Sequence, residues 1–131
     1  MLKHLYNLAR GVVHEVGKKV ARSPKWPAVE KAKLKAVPAC EACTSTARLQ
    51  VHHVKPFHLN PADELDPANL IVLCMGPLEC HLLLGHGDSF KQYVPDVREK
   101  AAAALADPTK LPDIQAQAKA CRLPNVPETA S

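Results

Sequence analysis

Apolar residues Leu2, Leu5, Ala9, Val12, Val16 and Val20 recur at helical spacing, which predicts an amphipathic helix over residues 1–22. Gly11 and Gly17 weaken it by about 1 kcal/mol each relative to alanine. Ser23 followed by Pro24 signals the start of a second helix through about Lys35, and Pro38 ends it. The run "RLQVHHV", residues 48–54, alternates as a strand, and "NLIVLC", residues 69–74, is an apolar strand-like run. A loop with Pro56, Asn60, Pro61 and Pro67 joins them. "HLLLGHG" starts a short helix that Gly85 terminates. A further helix is expected over Val94–Ala106, with Pro95 in its first turn. Beyond Asp107 the pattern weakens and prolines accumulate, which predicts an extended or flexible tail over residues 107–131, although "DIQAQAKAC" could form one loose helix. The expected organisation is thus a basic helix over 1–22, a folded domain over 23–106, and that tail.

Composition limits what such a domain can rest on. Only five residues are aromatic, while twelve prolines and five glycines interrupt the chain. A large continuous core is not expected, and small domains of this kind draw stability from a metal or from disulfides. The five cysteines are odd in number and four lie near histidines, which favours metal ligation in a reducing compartment over a disulfide framework. No apolar run is long enough to span a membrane and the N-terminus lacks signal-peptide features, so a cytoplasmic protein without membrane contact is expected. The net charge of +4 conceals an asymmetry. Residues 1–60 hold eleven Lys or Arg against three Asp or Glu, whereas residues 61–131 hold six against ten. A basic half suits a polyanion, because neutralising phosphates releases counterions.

Cys40 and Cys43 form C-x2-C on a turn, and Cys74 and Cys80 form C-x5-C about thirty residues later. Four thiolates on two turns can converge tetrahedrally on Zn2+, although the second spacing is wider than usual. Cys121 lies outside the pattern and is expected as a free thiol. Between and beyond the cysteines stand His52, His53, His58, Asn69, His81 and His86. Side chains alternate along a strand, so His52 and His53 should face opposite ways.

In order, these residues read C-x2-C, V-H-H-V-x-P-F-H, N-L-I-V-L-C and C-H-x4-H. That run resembles the HNH endonuclease family, the ββα-metal nucleases. "RSPKWP", "VHHVKPFHLNP", "ELDPANLIVLC" and "CHLLLGHGDSF" are similar to the zinc-containing branch common in bacteria and their phages. The resemblance covers roughly residues 22–98. It implies an α+β fold: a small ββα-metal (His-Me finger) core with a structural zinc on four cysteines and flanking helices. It implies that His52 and His81 ligate one divalent cation (Mg2+, Mn2+, Ni2+ or Zn2+), that His53 is the general base, and that Asn69 tethers the intervening loop and helps orient that base. A third ligand from His86 is left open: five residues after His81 is about 500° of regular helix, some 140° out of line. Gly85 offers a way out of the helix before it.

The resemblance therefore implies a metal-dependent endonuclease acting on DNA, with phosphates gripped by basic residues such as Lys31, Lys33, Lys35, Arg48 and Lys55. RNA stays open, because such a site does not itself demand a deoxyribose. A homodimer or a phage or bacterial protein partner also stays open. The alternative is a zinc-ribbon nucleic-acid-binding module without catalysis. It would retain the cysteines and the basic half, but it offers no reason for His52, His53, Asn69 and His81 together.

Overall fold

A computed structural model describes residues 15–16 and 19–125. Residues 1–14, 17–18 and 126–131, with most of the expected N-terminal helix, lie outside the described residues. The described part of that stretch differs from the expectation: β1 (Glu15–Val16) and β2 (Lys19–Val20) pair antiparallel. Val16 and Val20 are β-branched, which suits a strand better than a helix.

Helix α1 spans Trp26–Ala36. It begins later than Ser23–Pro24 suggested, because Ser23 is used in the turn before it. Ser23 Oγ accepts the Lys25 amide at 3.1 Å and its carbonyl accepts the Trp26 amide at 3.2 Å. Pro27 then occupies the first turn, where a missing amide hydrogen costs nothing.

Strands β3 (Leu49–His53) and β4 (Leu70–Cys74) form the central antiparallel hairpin, with His52 opposite Ile71 and His53 opposite Leu70. All of β4 is buried, as expected for a strand covered on both faces. On one face Val51, Leu70 and Val72 pack against Trp26, Val29, Leu34 and Val37 of α1 and the residue after it. On the other face Ile71 and Leu73 join the larger core with Leu84, Val94, Val97, Ala101 and Ala104. The hairpin is thus the middle layer of the molecule. Beyond it the chain makes a single wide helical turn, His81–Gly85, then β5 (Gln92–Tyr93) and α2 (Val97–Ala106). Helix α2 starts three residues after Val94, so Pro95 lies ahead of it rather than in its first turn.

The stretch expected as a flexible tail is built into the core through Cys121. Pro108–Lys110 make a 3-10 turn that Asp107 caps, and helix α3 runs Leu111–Cys121. Leu111, Ile114 and Ala118 line its buried side against α2 and the His81 turn. Three apolar residues on one stripe, one of them a small alanine set off by two glutamines, give a weak sequence signal, but here they meet a ready-made apolar surface. Finally β6 (Leu123–Pro124) pairs with β5. The whole is a mixed α+β fold around a ββ hairpin with a helical turn behind it. Among the described residues, no helix is long and apolar enough to cross a membrane.

Ile114→Ala should therefore lower the stability of the folded protein by about 2–4 kcal/mol, read from the urea midpoint at constant m-value. A flexible tail would leave the midpoint unchanged.

Candidate active site

The two neighbouring histidines do face opposite ways, and each meets a different set of partners. His52 is 3 % exposed and lies on the face of β3 that looks towards the His81–Gly85 turn. Its ring centroid is 5.0 Å from that of His81 and 4.8 Å from that of His86. Gly85 makes this approach possible, since a methyl group there would come within 3.1 Å of the His52 ring.

The turn also resolves the awkward spacing of His81 and His86. The His86 amide donates to the His81 carbonyl at 3.1 Å, a hydrogen bond spanning five residues rather than four. Such a π-type turn is wider than an α-helical one. Residues five apart then share a face, and the two Nε2 atoms stand 3.3 Å apart. The 140° misalignment of a regular helix does not arise.

Hydrogen bonding assigns the tautomers of both rings. His86 Nδ1 lies 2.7 Å from the Gln92 carbonyl, which can only accept, so Nδ1 carries the proton. His81 Nδ1 faces Gln50 Oε1 at 3.1 Å and Met75 Sδ at 3.2 Å, both acceptors. Two unprotonated Nε2 atoms therefore face each other, and His52 Nε2 is buried with no hydrogen-bond partner among the described residues. Lone pairs so arranged repel unless a cation lies among them. One nitrogen from each ring lies within 4.8 Å of the others, a donor set that fits a single divalent cation. Burial, and then the neighbouring imidazoles, lowers the pKa of His52 and takes that of His81 to about 4; burial lowers that of His86 as well. All three stay neutral near pH 7, the form that ligates.

On the opposite face, His53 stacks on Trp26 with ring centroids 4.5 Å apart. Its Nε2 donates to the Glu64 carbonyl at 2.9 Å, which leaves Nδ1 as the basic nitrogen. Burial lowers the His53 pKa, with the Glu64 carbonyl opposing. Glu64, 2 % exposed, is itself held at its carboxylate by Arg22 Nε at 2.8 Å and the Ser23 amide at 3.0 Å. Asn69 is buried and uses its whole amide. Its Oδ1 accepts the Lys55 amide at 2.7 Å, and its Nδ2 donates to the carbonyls of Lys55 and Asp63 at 3.1 Å each. It thereby pins the loop between β3 and β4, which carries Glu64. Both faces open on one pocket of about 280 Å3 lined by Arg22, Trp26, His52, His53, Phe57, His58, His81, His86 and Asn125 among others.

Cys40, Cys43, Cys74 and Cys80 bring their sulfurs within 4.8 Å of one another, with Cys43 and Cys74 3.6 Å apart. Tetrahedral zinc with Zn–S bonds of about 2.3 Å needs sulfurs about 3.8 Å apart, so the cluster is compatible with a structural zinc. The wide second spacing does no harm, because Thr44 and Glu79, beside Cys43 and Cys80, adopt positive φ and fold each turn back on itself. A hydrogen bond from Cys80 holds the Cys40 thiol low, at about 4; sharing that proton, and burial, push Cys80 far up, and burial pushes Cys43 to about 11. Four thiols this close cannot all ionise alone, and a dication reverses that balance. Cys121 is a free, exposed thiol.

Residues 40–87 match the family model described as HNH endonuclease. That match spans just over a third of the chain. The match includes both clusters, His53 and Asn69, and ends at Gly87. No curated protein and no solved structure matches the chain. The HNH domain indicates nuclease activity in general, and HNH nucleases act on nucleic acids.

Sequence reasoning missed several residues around the HNH domain. Arg22, Trp26 and Asn125 line the pocket, and Glu64 and Gln92 orient His53 and His86 through main-chain carbonyls. "RSPKWP" and "ELDP" had marked Arg22, Trp26 and Glu64 as part of the pattern, but their pairing is a long-range contact. A carbonyl acceptor leaves no trace in residue type. Conversely, Lys31, Lys33 and Lys35 lie on α1, Arg48 precedes β3 and Lys55 pairs with Asp63 at 3.1 Å. None of these five lines the pocket.

Gly85→Ala should push the His52 ring out of place and weaken binding of Mn2+ or Ni2+ about tenfold or more by calorimetry, with zinc content intact. Stability should also depend on pH. Histidines with lowered native pKa values bind protons more readily in the unfolded chain, so stability is fully present above about pH 6.5 and falls as pH drops toward about 4. Urea unfolding of divalent-free protein across that window should show the decline, and His81→Gln should flatten it.

Proposed function

We propose that the protein is a metal-dependent endonuclease that hydrolyses phosphodiester bonds in DNA, with His53 as general base. The observation that carries this reading is the division of labour across β3: a cation-ready triad on one face, and a tautomer-fixed basic imidazole on the other, with one pocket reaching both. His52, His81 and His86 would hold a divalent cation, which when bound would supply Lewis-acid stabilisation of charge on the phosphate and the departing oxygen. His53 takes a proton from the attacking water at Nδ1, and its Nε2–H keeps the bond to the Glu64 carbonyl as the ring becomes positive. That bond strengthens with the charge on the ring, so the same carbonyl that sets the tautomer also stabilises the imidazolium. Asn69 holds the loop that carries this carbonyl.

Arg22 brings a permanent positive charge to the pocket wall, while its Nε stays on Glu64 and its guanidinium lies 4.4 Å over the Phe57 ring. Lys31, Lys33, Lys35, Arg48 and Lys55 lie farther out and grip flanking phosphates, which position the duplex without reading its sequence. Cys40, Cys43, Cys74 and Cys80 would hold a structural zinc, which would tie the turn before β3 to the end of β4.

Purified protein incubated with supercoiled plasmid should nick it only with Mg2+, Mn2+ or Ni2+. His53→Ala should lose at least about a hundredfold in rate, within the range for removal of a general base, while still binding DNA and the cation. Salt-sensitive DNA binding without cleavage under any metal would instead favour a non-catalytic zinc-ribbon module.

A further inference from the structure

The third histidine of the triad depends on a part of the chain outside the matched HNH region. His86 owes its tautomer to the Gln92 carbonyl, and Gln92 lies in β5, whose partner is β6 in the C-terminal segment. Asn125 follows β6 and takes hold of three successive carbonyls. Its amide donates to Lys91 at 3.1 Å, and its Nδ2 donates to Phe90 at 2.8 Å and to Gln92 at 3.3 Å. Three residues earlier, Arg122 Nη1 donates to the Gly87 carbonyl at 2.7 Å. The strap lies tight on this loop: at Gly87, with φ of +59°, an added methyl would be 2.9 Å from Arg122 Cβ and 3.0 Å from the Ala118 carbonyl.

Residues 87–92 are therefore held at both ends, by Arg122 and by Asn125. The intervening Phe90 is 51 % exposed and adds little core of its own. Core-buried Val94, whose amide donates to the Gly85 carbonyl at 3.0 Å, anchors the chain beyond this segment, and the Phe90 ring lies 4.9 Å from that of His86; within that frame the strap sets where the Gln92 carbonyl points. Without the strap the ring could protonate at Nε2 instead, and it would cease to offer a lone pair beside His81.

We propose that Asn125 and Arg122 are positioning residues for the third metal ligand, so that the C-terminal strap of this chain completes the cation site. This rests on the reading that His52, His81 and His86 hold a divalent cation. The strap does not touch that cation; it sets the tautomer and aim of His86 through one carbonyl. Partners of this kind are typically worth 10- to 100-fold in metal affinity.

The test is calorimetric titration of the full chain, its cysteine cluster filled with zinc, with Ni2+ or Mn2+. Wild type, Asn125→Ala, Arg122→Ala and His86→Ala would be compared. Asn125→Ala and Arg122→Ala should each bind about tenfold more weakly, approaching His86→Ala, with zinc content and melting temperature kept. Nicking by Asn125→Ala should need about tenfold more metal for its half-maximal rate. Nitrogen chemical shifts should show His86 protonated at Nδ1 in wild type and mixed in Asn125→Ala. Affinity within twofold of wild type in both strap variants would overturn the proposal. So would loss of cation binding together with loss of the zinc, which would make the strap a support of the whole fold. If wild type itself bound no cation at the histidines, the nuclease reading would fall as well, an outcome distinct from equal binding by wild type and variants.

Discussion

The antiparallel pairing of β3 with β4 is the constraint on which the rest depends. A strand sends successive side chains to opposite faces, and the register that sets His52 opposite Ile71 and His53 opposite Leu70 is enforced by burial of the apolar residues around them. A slip of one residue would exchange the two histidines and expose β4, which is buried along its whole length. The hydrophobic cost of that slip is what keeps His52 on one side of the sheet and His53 on the other. The cysteine cluster reinforces the same register, because Cys74 ends β4 and Cys40 and Cys43 precede β3.

Each histidine then inherits its chemistry from its surroundings. On the side of His52 the neighbours are imidazoles and glycine backbone, and among the described residues its buried Nε2 has no hydrogen-bond partner. On the side of His53 a carbonyl and an indole ring fix the imidazole while leaving it one basic nitrogen. The same residue type serves two purposes because desolvation keeps both rings neutral and hydrogen bonding decides which nitrogen is available. The wide turn at His81–Gly85 matters for the same reason: by opening one hydrogen-bond ring, it converts a five-residue spacing from a misfit into a pair of facing nitrogens.

Main-chain carbonyls orient both His53 and His86, and each is secured by a segment outside the hairpin. Glu64 is tethered by Arg22 and Ser23, just before α1; Gln92 is tethered by Asn125, just after β6. The segments just before α1 and just after β6 thus meet at one pocket. A small core is compatible with an ordered site here, because the polar groups that shape it are satisfied by backbone rather than by bulk.

The convergence of the four cysteines and the opposite facing of His52 and His53 were legible in the sequence, because ligand chemistry and strand alternation are local properties written in residue type and spacing; the meeting of His52 with His81 and the tether at Asn69 were implied only by the family resemblance, and His86 was left open. The hairpin and α1 were legible for the same reason. What only the tertiary structure decided was the partnership at a distance. The π-type turn that brings His86 into line depends on how Gly85 packs against His52. Helix α3 is ordered because Leu111, Ile114 and Ala118 find an apolar surface that exists only once α2 and the hairpin have folded. The Glu64 and Gln92 carbonyls, finally, act as backbone atoms, which every residue possesses; only the folded chain determines which of them meets an imidazole.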